Sequence, residues 1–133
     1  MTRYTVDGVA MCRYLVDSLP LAADEVFARA EDGVDVLEAP TVAISEAIWA
    51  ATQKETIADV DVDATPNAVL RGLVHEGPVR VAPTDEQDLA VFGSLVEHHT
   101  LHDALVIANH RVRGTEAIVT DDDAFAAEST VWE

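Results

Sequence analysis

Short apolar segments of strand character alternate with amphipathic helical segments along the whole chain, and each is punctuated by turn or cap residues. Residues 2–6 alternate and end at Asp7-Gly8, which predicts a strand and a turn. Val9, Cys12, Leu15 and Val16 recur at helical spacing and predict a helix over 9–18, with Pro20 after it. A second helix is expected over 22–30, ended by Asp32-Gly33, then a strand over 34–39. Pro40-Thr41 opens a third helix through Val42, Ile44, Ile48 and Trp49. The signal over 53–63 is weak and reads as a polar helix followed by a loop. Beyond it come a helix over 67–75 closed by Gly77-Pro78, a strand over 79–82, and a helix over 85–98 capped by Thr84. A helix over 102–113 stops at Gly114. A strand over 117–120 runs into Asp121-Asp122-Asp123, and a last short strand covers 129–132.

That alternation is the pattern of a parallel sheet covered by helices on both faces. The fold class expected is therefore α/β, a three-layer α/β/α sandwich with a short, mostly parallel sheet. At 133 residues the chain fits a single domain over 1–133, and 49% apolar residues supply a core without staples. Cys12 is the lone cysteine, which excludes an internal disulfide and suits a reducing compartment. No apolar run has the length of a membrane span, and Met1 is followed at once by strand-like sequence rather than by a basic leader. A cytoplasmic protein with no membrane association is expected.

Charge narrows the partners. Asp and Glu number 25 against 8 Lys and Arg, a net charge of -17, and Lys54 is the single lysine. The apolar content is too high for a disordered acidic chain. Composition of this kind suits a halophilic protein, because concentrated salt screens self-repulsion. A surface this negative repels a phosphate backbone and excludes a nucleic-acid binder of the basic-patch type. It does not exclude a site where divalent cations sit between protein and phosphate, since the ion inverts the local sign.

In open parallel sheets the working site lies beyond the carboxyl ends of the strands. Four acids meet that condition. Asp7 follows the first strand, Asp122 follows the strand over 117–120, Asp103 lies in the first turn of its helix, and Glu46 lies one turn into the third helix. Clustered carboxylates are hard oxygen ligands suited to Mg²⁺ or Mn²⁺. Such ions bind phosphate and lower the pKa of a bound water. With acids at roughly one position in five, each of the four taken alone is more often a helix cap or a solvated strand-end residue.

Local context separates these cases. Tyr4-Thr-Val-Asp7, Ala39-Pro-Thr-Val-Ala-Ile-Ser-Glu46, Leu101-His-Asp103-Ala-Leu-Val-Ile-Ala108 and Ala117-Ile-Val-Thr-Asp-Asp122-Asp-Ala-Phe125 occur in an order and spacing that span nearly the whole chain. In these four segments the chain resembles the PIN-domain family, and in size it resembles the VapC-type toxin ribonucleases of toxin–antitoxin pairs. The resemblance implies endonuclease cleavage of single-stranded RNA with Mg²⁺ or Mn²⁺, leaving a 5′-phosphate and a 3′-hydroxyl. It implies Asp7 and Asp103 as direct metal ligands, Glu46 as ligand or orienter of the attacking water, and Asp122 as support for a second ion. It also implies an antitoxin partner and a homodimer. Where that family usually has Ser or Asn two residues after the first Asp, this chain has Val9.

Placing Phe125 in the core selects Asp122 over Asp121 and Asp123, and Thr120 is positioned either to bond into the site or to satisfy the backbone. His98, His99, His102 and His110 read as surface or boundary residues, with His102 beside Asp103 near a substrate phosphate. Cys12 reads as core, and Trp49 and Trp132 as packing residues rather than stacking platforms. Arg3, Arg13, Arg111 and Arg113 are the candidates for phosphate contacts. Two rival functions stay open. One is a catalytically inactive PIN-like RNA- or protein-binding module. The other is a carboxylate-bound Mg²⁺ phosphatase, which needs an Asp-x-Asp after the first strand where Asp7-Gly8-Val9 has one acid.

Overall fold

β1 (Arg3–Val6) sits in the middle of a five-stranded sheet of order β5-β2-β1-β6-β7, formed with β2 (Val36–Pro40), β5 (Val79–Ala82), β6 (Ile118–Val119) and β7 (Thr130–Val131). All four pairings are parallel. The computed structural model describes residues 1–53 and 56–133. β2 is buried at all five positions, Glu38 included, as a strand with a neighbour on each side is. Helices α1 (Gly8–Leu15), α2 (Leu21–Glu31), α3 (Thr41–Thr52), α4 (Pro66–Leu70), α5 (Glu86–Gly93) and α6 (Leu101–Arg113) flank it. The apolar side chains of sheet and helices join one core that includes Val6, Met11, Phe27, Leu37, Ile107 and Phe125. The expected α/β fold is borne out. Among the described helices none is long and apolar enough to cross a membrane.

Three local expectations are corrected. Residues 56–61 form an antiparallel hairpin, β3 (Thr56–Ile57) and β4 (Val60–Asp61), where a polar helix and loop were expected; Lys54 and Glu55 of that stretch lie outside the described residues. The hairpin turns through Ala58 and Asp59, both left-handed with φ 48° and 65°. The helix over 85–98 ends early, at Gly93, and its N-cap is Asp85, whose carboxylate accepts from the Asp88 amide at 3.1 Å, rather than Thr84. α6 starts one residue earlier than expected, because the Thr100 hydroxyl accepts from the Asp103 amide at 3.3 Å. Its far end is as expected: Gly114 takes the left-handed conformation, φ 64°, that lets its amide close on the His110 carbonyl. The helix over 67–75 is present as α4 continued by a wider π turn, Arg71–His75.

Strand order reverses at β1. The chain builds outward through β2 and β5 on one side and through β6 and β7 on the other. The crevice beyond the carboxyl ends of β1 and β6 is therefore the switch point at which such sheets hold ligands.

Candidate functional site

Asp7 stands at that switch point, between the end of β1 and the start of α1. It is the N-cap of α1: one carboxylate oxygen accepts from the Ala10 amide at 2.9 Å. The other accepts from the Thr120 hydroxyl at 2.5 Å, so both oxygens are fixed. The side chain is almost fully buried, and among the described residues no arginine or histidine forms an ion pair with it. Burial pushes its pKa up to about 7, against the pull of the Thr120 and Ala10 bonds; the charges of Asp121 and Glu46 add to the rise.

Thr120 links two acids. While its hydroxyl donates to Asp7, it accepts from the Asp122 amide at 3.1 Å, and Asp122 in turn caps the turn Asp123–Phe125 by accepting from the Ala124 amide at 2.9 Å. Phe125 is buried, as the register required. Glu46 is half-buried on α3, and burial raises its pKa; Asp103 and Asp122 raise it further while His102 opposes them. Its approach to Asp7 depends on Gly8. A Cβ at Gly8 would lie 2.9 Å from the Glu46 Cβ and 3.1 Å from the Ala43 carbonyl. The Asp7-Gly8 pair, legible in the sequence only as a turn, is instead the N-cap and first residue of α1, with Gly8 pressed against α3.

The structure brings Asp7, Glu46, Asp103 and Asp122 to one small cleft, with Val9 at its mouth and Val106 and Phe125 among its walls. Asp122 is the one member of the triplet that lines it; all three line a neighbouring depression with Trp132. The free volume of the acidic cleft is about 30 Å³, room for one or two atoms of water size. Its donors are all carboxylate oxygens, the set preferred by hard divalent cations. Crowding of these negative groups contributes to the raised pKa of both Asp7 and Glu46, and a cation would relieve it. Among the described residues no three His, Cys, Asp or Glu side chains stand close enough, as placed, to ligate one ion together. The donor chemistry fits a divalent ion; the cage is not preformed.

Outside the cleft, several expectations change. None of the four arginines named for phosphate contact is unengaged. Arg113 grips the buried Glu38 on β2 with two bonds of 2.8 and 2.9 Å, and Arg3 stands 3.7 Å from the same carboxylate. Arg13 donates to the Ser18 carbonyl and lies over the Trp132 ring, and Arg111 pairs with Glu128 through bonds of 2.7 and 2.9 Å. Trp132 packs, as expected. Trp49 does not: it is 65% exposed. His110 is buried, with Nδ1 2.6 Å from the Thr115 hydroxyl, and burial lowers its pKa. His102 is exposed, on the Glu46 side of the cleft. Cys12 is core, as read, with its thiol against the Ala47 carbonyl.

A buried polar cluster had no sequence signal. Asn109 donates to Asp88 at 2.8 Å and to the Ala82 carbonyl at 3.2 Å, while its own Oδ1 has no hydrogen-bond partner among the described residues. Burial raises the Asp88 pKa, and hydrogen bonding to the Asp88 amide lowers that of Asp85.

No family model matches the chain, and no curated protein matches it in sequence. Solved structures do match in fold. A chain of VapBC2 from Rickettsia felis, determined bound to a DNA fragment from its promoter, superposes with a TM-score of 0.68 at 11% identity, covering 99% of this chain and 100% of that one. VapC20 from Mycobacterium tuberculosis, a Sarcin-Ricin loop cleaving toxin, superposes with a TM-score of 0.61 at 15% identity, covering 95% and 94%. At these identities the likeness is one of fold.

Proposed function

We propose that this chain is a divalent-metal-dependent endoribonuclease of the PIN type that cuts single-stranded RNA, the toxin of a toxin–antitoxin pair. The observation that carries the reading is the meeting of four carboxylates from four separate segments in one cleft at the switch point of the sheet. The fold likeness to VapC20, described as cleaving the Sarcin-Ricin loop, supports the substrate class. The likeness to VapBC2 supports an antitoxin partner.

In this reading Asp7 and Asp103 hold Mg²⁺ or Mn²⁺, and Asp122 supports a second ion. The bound metal supplies Lewis acidity toward a phosphoryl oxygen and makes water a better nucleophile. Thr120 positions Asp7 by donating to the oxygen that the Ala10 amide leaves open. Glu46, with its raised pKa, orients the attacking water and accepts its proton. In-line attack would form the new P–O bond as the bond to the 3′-oxygen breaks; the 3′-oxygen takes a proton from solvent to leave as a 3′-hydroxyl, and a 5′-phosphate remains. The exposed apolar residues Leu21 on α2 and Leu89 on α5 are surface that a second copy would cover in a homodimer.

Purified protein in molar KCl is expected to cleave single-stranded RNA with Mn²⁺ or Mg²⁺, and Asp7→Asn or Asp103→Asn to abolish it. Cleavage that survives EDTA or either substitution ends the proposal. A second reading, an inactive binding module of the same fold, is favoured by the lack of a preformed cage among the described residues and by the apolar Val9 at the mouth. Calorimetric titration with Mn²⁺ separates the two, because an inactive site shows no saturable heat that Asp103→Asn removes.

A further inference from the structure

A tryptophan on a folded surface usually buries most of its ring, and Trp49 leaves 65% of its surface in solvent. Val42, Ser45, Glu46 and Trp49 recur at helical spacing and present one face of α3 to a cavity of about 330 Å³. Across from them stands His102, on the first turn of α6. The volume is at the lower end of the range of small-ligand pockets. Glu46 lines both this cavity and the acidic cleft, so the two adjoin across its side chain.

Resting on the nucleic-acid reading above, we infer that Trp49 is a stacking platform for an unpaired nucleobase, seated between α3 and His102 while the adjoining phosphate lies over the acidic cleft. Charge is the first argument. The chain carries -17; Arg3, Arg13, Arg29, Arg111 and Arg113 are bound to internal partners, and neither Arg71 nor Arg80 lines this cavity or the acidic cleft. Phosphate contacts from arginine are therefore scarce here, and beyond a phosphate bridged by metal at the cleft the strand must be held through groups that carry no charge. An aromatic face stacked on a base does that, and without preference for sequence.

The test reads Trp49 directly. A Trp132→Phe variant leaves Trp49 as the only indole, and Asp103→Asn in the same chain prevents cleavage during titration. A single-stranded RNA oligonucleotide is expected to quench the Trp49 emission, in molar KCl as well as at low salt, and a duplex of the same sequence is not. An oligonucleotide made abasic throughout is expected to leave emission unchanged. In chains that retain Trp132, Trp49→Ala is expected to raise Kd roughly 5- to 150-fold, and Trp49→Phe less than about 5-fold. Equal quenching by abasic and intact strands overturns the inference. So does emission that changes with protein concentration but not with RNA, which would assign the face to a second copy. Quenching by single strands in a protein that cleaves no RNA with any metal sustains this inference while the nuclease reading fails. Cleavage by Trp49→Ala with unchanged KM overturns this inference alone.

Discussion

Replacing Asp7 by Asn should make the metal-free protein more stable, and by an amount that depends on pH. Burial raises the Asp7 pKa from 3.8 to about 7. The folded state therefore binds a proton more tightly than the unfolded chain between those values. Stability contributed by this group is complete below about pH 4 and is lost as pH rises toward 7. A rise of about three pKa units corresponds to roughly 4 kcal/mol of penalty at pH 8 and about half a kcal/mol at pH 4. Asparagine keeps the acceptor for the Ala10 amide and offers its own amide to Thr120, so most of the geometry survives. We expect Asp7→Asn to gain ~2–4 kcal/mol at pH 8 in EDTA. At about 4 °C per kcal/mol for a chain of this length, Tm should rise roughly 8–15 °C. At pH 4 the two proteins should melt within a few degrees. Adding Mn²⁺ at pH 8 should stabilise the wild type and leave the variant unmoved, closing the gap. Thermal melts at the two pH values decide the matter: equal gaps at pH 4 and pH 8 would refute a buried, uncompensated Asp7 carboxylate.

Gly8→Ala puts a methyl 2.9 Å from the Glu46 Cβ and should force α1 from α3, lowering cleavage at least about tenfold and Tm by several degrees, read by kinetics and melting. Thr120→Val removes one of the two bonds on Asp7; it should weaken Mn²⁺ binding in calorimetry roughly tenfold, in the range for lost outer-shell partners, with far-UV circular dichroism unchanged. Arg113→Ala leaves Glu38 buried beside a more distant Arg3 and should cost about 2–3 kcal/mol in urea melts at pH 7, below the full cost of breaking a buried pair because the guanidinium is partly in water. Arg113 holds the Glu38 carboxyl below its ordinary range, so that stabilisation is present above the unfolded pKa of Glu and lost as pH falls through the folded one; the variant should show a smaller loss on acidification.

Most of the architecture was legible because its cause is local. Asp7, Asp103 and Asp122 could be assigned to one edge from sequence alone, since strand ends and helix starts in a parallel sheet point the same way. The β3–β4 hairpin was not legible, because its left-handed turn is made by Ala58-Asp59 where Asn-Gly is the usual signal. The arginines were misread because their partners, such as Glu38 and Glu128, lie 75 and 17 positions away, and no local pattern joins them. Trp49 was misread for a related reason. The apolar residues around it on α3 suggest a packed face, and only the position of α6 determines that its side of the helix opens to solvent.

β1 comes first among the described strands and lies in the middle of the sheet, and its neighbour β6 follows it by more than a hundred residues. The bond from Thr120 to Asp7 joins residues 113 positions apart. A nascent chain on the ribosome can form α1 and α2 early, yet it has no Thr120 with which to seat Asp7 until the intervening residues have been made. The seating of Asp7 in the cleft is thus a late event in the making of this fold, one that waits for β6 to dock beside β1.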